Sequence, residues 1–333
     1  MGMANEGCDI HGLLIVDKPS GLTSSSVVRR LKQWSKARKV GHTGALDPMA
    51  TGVLPIVFGE AAKYSQYGLD SKKGYLARVQ LGTATDTLDA DGVVVAKKAI
   101  PVINRIILSS VLSGLTGSLM QVPPMVSALK HRGQPLYKLA RQGLEIERAP
   151  REIEIFSNEL IDFEAGEGWL DIRVRCSKGT YVRSIAESIG QSLGTVAHLS
   201  RLRRDLAGGY SIDQANSWHI IESLKHKGTK AFARLLHSPD ALLSHLPRIN
   251  LSEHECMMLI QGQKVSGKGL GVCDTMRAYF EEASFIGLVT VDSGGDIFAK
   301  RMLSLAAAGM RGNSDFGRQG RACHIGEKNG FNS

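Results

Sequence analysis

The chain has 333 residues, 43% of them hydrophobic, with a formal charge of +9 and a pI near 9.3. That length predicts one large domain with a smaller one, and the basic balance points to a polyanionic partner without bearing on the fold. No run approaches the roughly 18 apolar residues of a membrane span, no apolar core behind a basic stretch marks a secretory leader, and the five cysteines contain no CxxC pair, which disfavours a zinc site or disulfide framework and fits a reducing, cytoplasmic setting.

In chain order, residues 1–10 read as a flexible start. LLIVD at 13–17 is a short buried strand ending in a KPSG turn, after which Thr23 or Ser24 can cap a helix. Val27, Val28, Leu31 and Trp34 fall at helical spacing, with Arg29, Arg30 and Lys32 on the other side. Six basic residues and no acid lie between Arg29 and Lys39. Charge runs are usually solvated helix faces, but the missing acids favour a phosphate-binding surface. YLARVQLG at 75–82 alternates as a strand. Residues 105–115 read as a helix, and 136–143 as a turn or two of helix stopping at Gly143. WLDIRVRC at 169–176 alternates again, placing Leu170, Ile172, Val174 and Cys176 on one face. Val182, Ile185, Ala186, Ile189 and Leu193 mark an amphipathic helix ending at Gly194.

Strands and helices mix without a regular βαβ rhythm. An α+β fold is expected, with a mixed, mainly antiparallel sheet and flanking helices, spanning 11–245. A boundary near Leu246-Pro247 precedes a short helix (253–261), Gly-rich turns and a strand at 285–291, which predicts a small β-rich domain over 246–305. Residues 306–333, rich in Gly, Ser, Asn and Arg, read as a disordered basic tail.

The most informative stretch is GHTGALDPMATGVLP at 41–55. Asp47 is its only acid. Pro48 biases Asp47 away from the α region, and Gly41, Gly44 and Gly52 let the backbone bend. A lone carboxylate in such a loop suits a nucleophile or acid/base group; a surface Asx turn explains it about as well. Other motifs fail on inspection. GQKVSGKG at 262–269 lacks the Ser/Thr of a phosphate-binding loop and follows a helix. A calcium loop around Asp89-Ala90-Asp91-Gly92 would need ligands at Thr87 and Lys98, and GKGLG at 267–271 lacks dinucleotide-motif spacing. No His/Asp/Glu cluster has ligand spacing, so no metal is expected.

The 41–55 stretch, together with GLLIVDKPSGLTS at 12–24, resembles the TruB family of tRNA pseudouridine synthases. Three further blocks match in order: KGYLARVQLGTATDTLDADG at 73–92, QVPPMVSALKHRGQPLYKLARQG at 121–143, and CSKGTYVRSIAESIGQSLG at 176–194, followed by HLSRLRR at 198–204. The resemblance implies isomerisation of the T-loop uridine 55 of tRNA to pseudouridine, with no cofactor. It gives Asp47 the catalytic role and leaves open whether Asp47 attacks C1′, attacks C6 or takes the C2′ proton.

By the same transfer, Tyr75 stacks on the flipped base, an aromatic platform offsetting the unstacking cost by roughly 1–3 kcal/mol. Arg183 pairs with Asp47, a bidentate geometry that keeps a carboxylate ionised. Tyr181 and Leu202 line the uracil pocket. Lys18 supports the loop and stands with the RNA-binding residues His42, Lys130, Arg132 and Arg141, the last three on an element that closes over the T-arm and is expected to order with RNA. The C-terminal module resembles the RNA-binding PUA domain. The 121–143 block resembles the stand-alone bacterial form, so a monomer needing no protein partner is expected. Two other readings stay open: a catalytically silent tRNA-binding chaperone, and a glycosylase that releases the base.

Overall fold

The alternation at Lys73–Leu81 places Tyr75, Ala77, Val79 and Leu81 on one buried face, as a strand's period of two requires. Trp169–Cys176 runs antiparallel beside it, pairing Val174 with Tyr75, Ile172 with Ala77 and Leu170 with Val79. Ala197–Ala207 flanks the other edge, setting Leu202 against Ala77 and Leu199 against Val79. An apolar row therefore crosses three strands, and a one-residue slip would turn it to solvent. The computed structural model describes residues 9–266 and 269–310; the expectations for residues 1–8 and for the tail beyond residue 310 lie outside the described residues.

These strands form the middle of a ten-stranded sheet. Its main order is Asn216–Ser217, Gly12–Lys18, Thr51–Phe58, Ala197–Ala207, Lys73–Leu81, Trp169–Cys176, Arg151–Glu164 and Gly117–Gln121. Two adjacencies are parallel, Gly12–Lys18 with Asn216–Ser217 and Thr51–Phe58 with Ala197–Ala207; the others are antiparallel. Helices Ser24–Ser35, Arg105–Gly114 and Val182–Ser192 pack Leu31, Leu112 and Ile189 into the core on one face. Thr23 caps the first helix, its hydroxyl accepting from the Ser26 N–H at 3.0 Å, and Asn104 caps the second, accepting from Ile107 at 2.9 Å. Each cap is worth about 1 kcal/mol. Leu13, Ile15, Val53, Val57 and Leu242 form a separate cluster, so the strands LLIV and VLPIVF alternate between two apolar surroundings and read as continuous apolar runs.

The stretch 41–55 is not one loop. Val40–His42 and Thr51–Phe58 are antiparallel strands, with the turn confined to residues 43–50. The Gly and Pro residues obscured the second strand, whose burial overrides their low strand propensity. The fourteen-residue strand Arg151–Glu164 and the strand Ala197–Ala207 carry no clear strand signal, because more than half of their positions are charged or polar.

The chain divides into two compact units at His245/Leu246. The second unit holds a four-stranded sheet in the order Arg248–Leu251, Cys273–Phe280, Ser284–Val291 and Ile297–Met302. Its helix Glu253–Ile260 starts with a capping box between Ser252 and Glu255. Among the described residues no helix is long and apolar enough to cross a membrane.

Candidate active site

Asp47 sits in the turn joining Val40–His42 to Thr51–Phe58, and this turn is anchored on both sides. The Ser24 hydroxyl donates to the Leu46 carbonyl at 3.1 Å and accepts the Leu46 N–H at 2.8 Å. The Gly21 N–H donates to the Pro48 carbonyl at 2.8 Å. Lys18, 0% exposed, caps the carbonyls of Pro19, Leu22 and Pro48 at 2.8, 2.7 and 3.2 Å. From the opposite side Arg204, 1% exposed, donates to Val53 O at 2.7 Å, Ala45 O at 3.2 Å and Gly44 O at 3.1 Å. The loop geometry is thus over-determined by side chains from distant strands, which is how a carboxylate is held ready for chemistry.

Arg183 lies in the first turn of Val182–Ser192 and is 4% exposed. Its Nε is 3.0 Å from Asp47 Oδ2 and its Nη2 donates to Asp47 Oδ1 at 3.2 Å, a bidentate fork. The remaining donors reach Thr87 O at 3.0 Å and Val126 O at 2.9 Å, and Asp89 Oδ2 lies 3.5 Å from Nη1. Asp89 is buried and is fixed by the Thr87 hydroxyl at 2.6 Å and the Asp91 N–H at 3.1 Å. One guanidinium is therefore shared by two carboxylates. The Asp47 carboxyl is pushed above the ordinary range: burial is the largest cause, Arg183 opposes it, and Asp89 and Asp91 add to it. The fork orients Asp47 and pulls its pKa down, but burial outweighs it and the net shift is upward, contrary to what the pairing alone suggested.

A cavity of about 330 Å³ opens beside this pair, walled by Tyr75, Tyr181, Leu202, Lys73 and Arg204 as well as Asp47 and Arg183. That volume falls in the small-molecule range of roughly 300–1,000 Å³. Tyr75 is buried, which pushes its hydroxyl up, while the nearby Arg204 pulls it down. Tyr181 is placed by two bonds between its backbone and the Gln121 side chain, at 2.8 and 3.1 Å. A larger cavity of about 570 Å³ shares only Leu202 with this one, and its one carboxylate, Asp171, is already paired with Arg78.

The structure thus gathers Asp47, Tyr75, Tyr181, Arg183 and Leu202 around one cavity. His42 stands at the head of the loop but is not part of the cavity wall; its Nδ1 faces the Gly44 N–H at 3.3 Å, and burial followed by Arg204 lowers its pKa. Lys130, Arg132 and Arg141 are exposed around the small hairpin Lys130–His131/Gln134–Pro135 and the following turn of helix, outside the cavity wall. Lys18 is a correction: an ammonium with no exposure and three carbonyl partners supports the loop and does not present itself to a phosphate. Asp89, Arg204 and Lys73 were not singled out. Asp89 reads locally as a turn residue, and Arg204 and Lys73 read as ordinary basic residues of strands; only long-range pairing brings them to the site. No group of three or more potential metal ligands occurs among the described residues.

Fold and cavity together define an α+β protein with a cavity beside a clamped carboxylate. The model of the TruB family pseudouridylate synthase N-terminal domain matches residues 32–182, and that of the pseudouridine synthase II TruB C-terminal domain matches 247–303. The protein named tRNA pseudouridine synthase B of Chromohalobacter salexigens is 41% identical over 309 residues, covering 92% of this chain and 99% of the relative. That of Aromatoleum aromaticum is 43% identical over 302 residues, covering 91% and 96%. A solved Cbf5-Nop10-Gar1 complex aligns with a TM-score of 0.64 at 23% identity, over 85% of this chain and 79% of that one, which bears on the fold alone. The chain belongs to the TruB family of pseudouridine synthases.

Proposed function

We propose that this protein converts uridine 55 in the T-loop of tRNA to pseudouridine, with Asp47 as the catalyst. The observation that carries the reading is the buried Arg183 fork on Asp47 at the edge of an aromatic-walled cavity. Isomerisation breaks N1–C1′ and forms C5–C1′ with no net oxidation, so it needs one carboxylate held at a flipped base and no redox partner. Tyr75 stacks on that base, and Tyr181 and Leu202 bound the pocket. His42 occupies space vacated by flipped nucleotides, and Lys130, Arg132 and Arg141 take phosphates of the T-arm. The protein acts on cytoplasmic tRNA as a monomer. The test is tritium release from a [5-³H]uridine-labelled tRNA transcript without added metal or cofactor. Release by wild type at the T-loop uridine, lost in Asp47→Asn with tRNA binding retained, is the expected result. Release by Asp47→Asn at the wild-type rate would sink the assignment, and free uracil as product would shift it to a glycosylase.

A further inference from the structure

Three cations near the Asp47 loop are held in a way that Arg183 is not. Arg204, Lys73 and Lys18 are all buried. Lys73 donates to Leu69 O at 2.8 Å and Ser71 O at 2.7 Å; Arg204 and Lys18 likewise end on main-chain carbonyls. Among the described residues none of the three has a carboxylate within 4.0 Å, whereas Arg183 has two. Carbonyls satisfy the donors but leave the charge. Buried charge without a counter-ion is expensive and normally selected against. Two of these cations, Arg204 and Lys73, line the same cavity as Tyr75 and Leu202. They flank the catalytic loop closely: a Cβ built on Gly44 would lie 3.8 Å from both Arg204 Nη1 and Lys73 Cε.

We propose that Arg204 and Lys73 form a preorganised positive field that stabilises the pyrimidine anion generated when the glycosidic bond breaks. This rests on the pseudouridine-synthase reading above. When N1–C1′ breaks, its electron pair stays with the base. The sugar is completed either by a bond from the Asp47 carboxylate to C1′ or by loss of the C2′ proton; prior addition of the carboxylate to C6 puts the same excess charge on the ring. After the base turns, C5 supplies the pair for the C5–C1′ bond, the C5 proton leaves and N1 takes one up, so the formula is unchanged. Negative charge passes through the pyrimidine on every route. Asp47 cannot stabilise it, and Arg183 is already neutralised. Donors fixed in a dry site before charge develops are worth most to such a step. Arg204 and Lys73 also repel one another at rest: Lys73 is lowered to about 8, by burial first and by Arg204 next. An anion in the cavity relieves that repulsion.

The test compares wild type, Arg204→Gln and Lys73→Gln in single turnover on tRNA transcripts carrying uridine or 5-fluorouridine, with tRNA affinity measured alongside. Fluorine withdraws electrons, so its base carries negative charge more readily; cleavage of the target N-glycoside is followed by chromatography of the digested RNA. The expected result is a loss of about 100-fold on uridine for Arg204→Gln, the size of losing one anion-directed donor, with affinity unchanged. Conversion of 5-fluorouridine should recover on the order of tenfold of that loss, since less stabilisation is needed. An equal loss on both substrates would make these residues a scaffold only. A loss of affinity without loss of rate would make them phosphate contacts. Should Arg204→Gln fail to fold, Lys73→Gln carries the comparison, because Lys73 caps only two carbonyls of one turn. A wild type that leaves tRNA unmodified would overturn the functional reading, and this proposal with it.

Discussion

Gly52→Ala tests how tightly the site depends on one backbone approach. Gly52 sits in Thr51–Phe58 with φ +104, paired in parallel with Arg204. A Cβ there would overlap the Arg204 carbonyl and lie 2.8 Å from its nitrogen. These are main-chain atoms of a central strand and cannot swing aside. The unfavourable φ costs about 1–3 kcal/mol, and the added methyl in a packed site about 1–3 kcal/mol more, for a loss of about 4 kcal/mol. At roughly 2–4 °C per kcal/mol for a domain of this size, the melting temperature should fall by about 8–16 °C. Gly21 provides the control. It also has positive φ, +82, but nothing lies within 4 Å of its built Cβ, so Gly21→Ala should lose only about 1 kcal/mol. Thermal unfolding of both variants separates the steric part from the conformational part. A Gly52→Ala protein no less stable than Gly21→Ala would refute the claim that backbone contact at this point fixes the loop.

Other outcomes follow from the same geometry. Arg183→Lys keeps the charge but loses the fork, so single-turnover rate should fall by about 100-fold with little change in tRNA affinity; a pure affinity loss would remove the orienting role. Asp89→Asn leaves a buried guanidinium with one fewer counter-ion and should cost about 3 kcal/mol in denaturant unfolding; a neutral effect would show that the 3.5 Å contact contributes nothing. Because burial raises the Asp47 carboxyl above its usual 3.8, the fold favours its neutral form. Activity should therefore fall as pH drops through this raised value, while any stability advantage of Asp47→Asn, present at neutral pH, should shrink over the same window. A stability gap that widens on acidification would reverse the sign. Finally, log affinity for tRNA should fall steeply and linearly with log salt, as release of counter-ions demands; a flat response in equilibrium binding would contradict the basic surface spanning Arg29 to Lys39.

The fold was legible where local pattern and burial agree. Leu170, Ile172, Val174 and Cys176 announce a one-faced strand and are fully buried, and Thr23 announces the helix it caps. Legibility failed where tertiary pairing overrides composition. Thr51–Phe58 carries Gly52 and Pro55 yet runs through the sheet, and Ala197–Ala207 hides among arginines because Arg203 pairs with Asp17 and Arg204 is fed by carbonyls. For the site, Asp47 stands out as a lone acid, and matched blocks supplied Tyr75 and Arg183. Asp89 and Lys73 had no local mark, since a turn aspartate and a strand lysine acquire their meaning only from neighbours distant in sequence.

That dependence on distant neighbours has a kinetic corollary. The contacts that shape the Asp47 loop join residues 136 and 159 positions apart. Closing such spans is slow, because the chain loses loop entropy before any contact repays it. The loop lacks its Arg204 bonds to Val53, Ala45 and Gly44 until Arg204 has been synthesised and its strand has docked, so a refolding chain should complete the site in step with that docking. The fold therefore sets its own order of events: the site is complete only after the Arg204 strand has found its register.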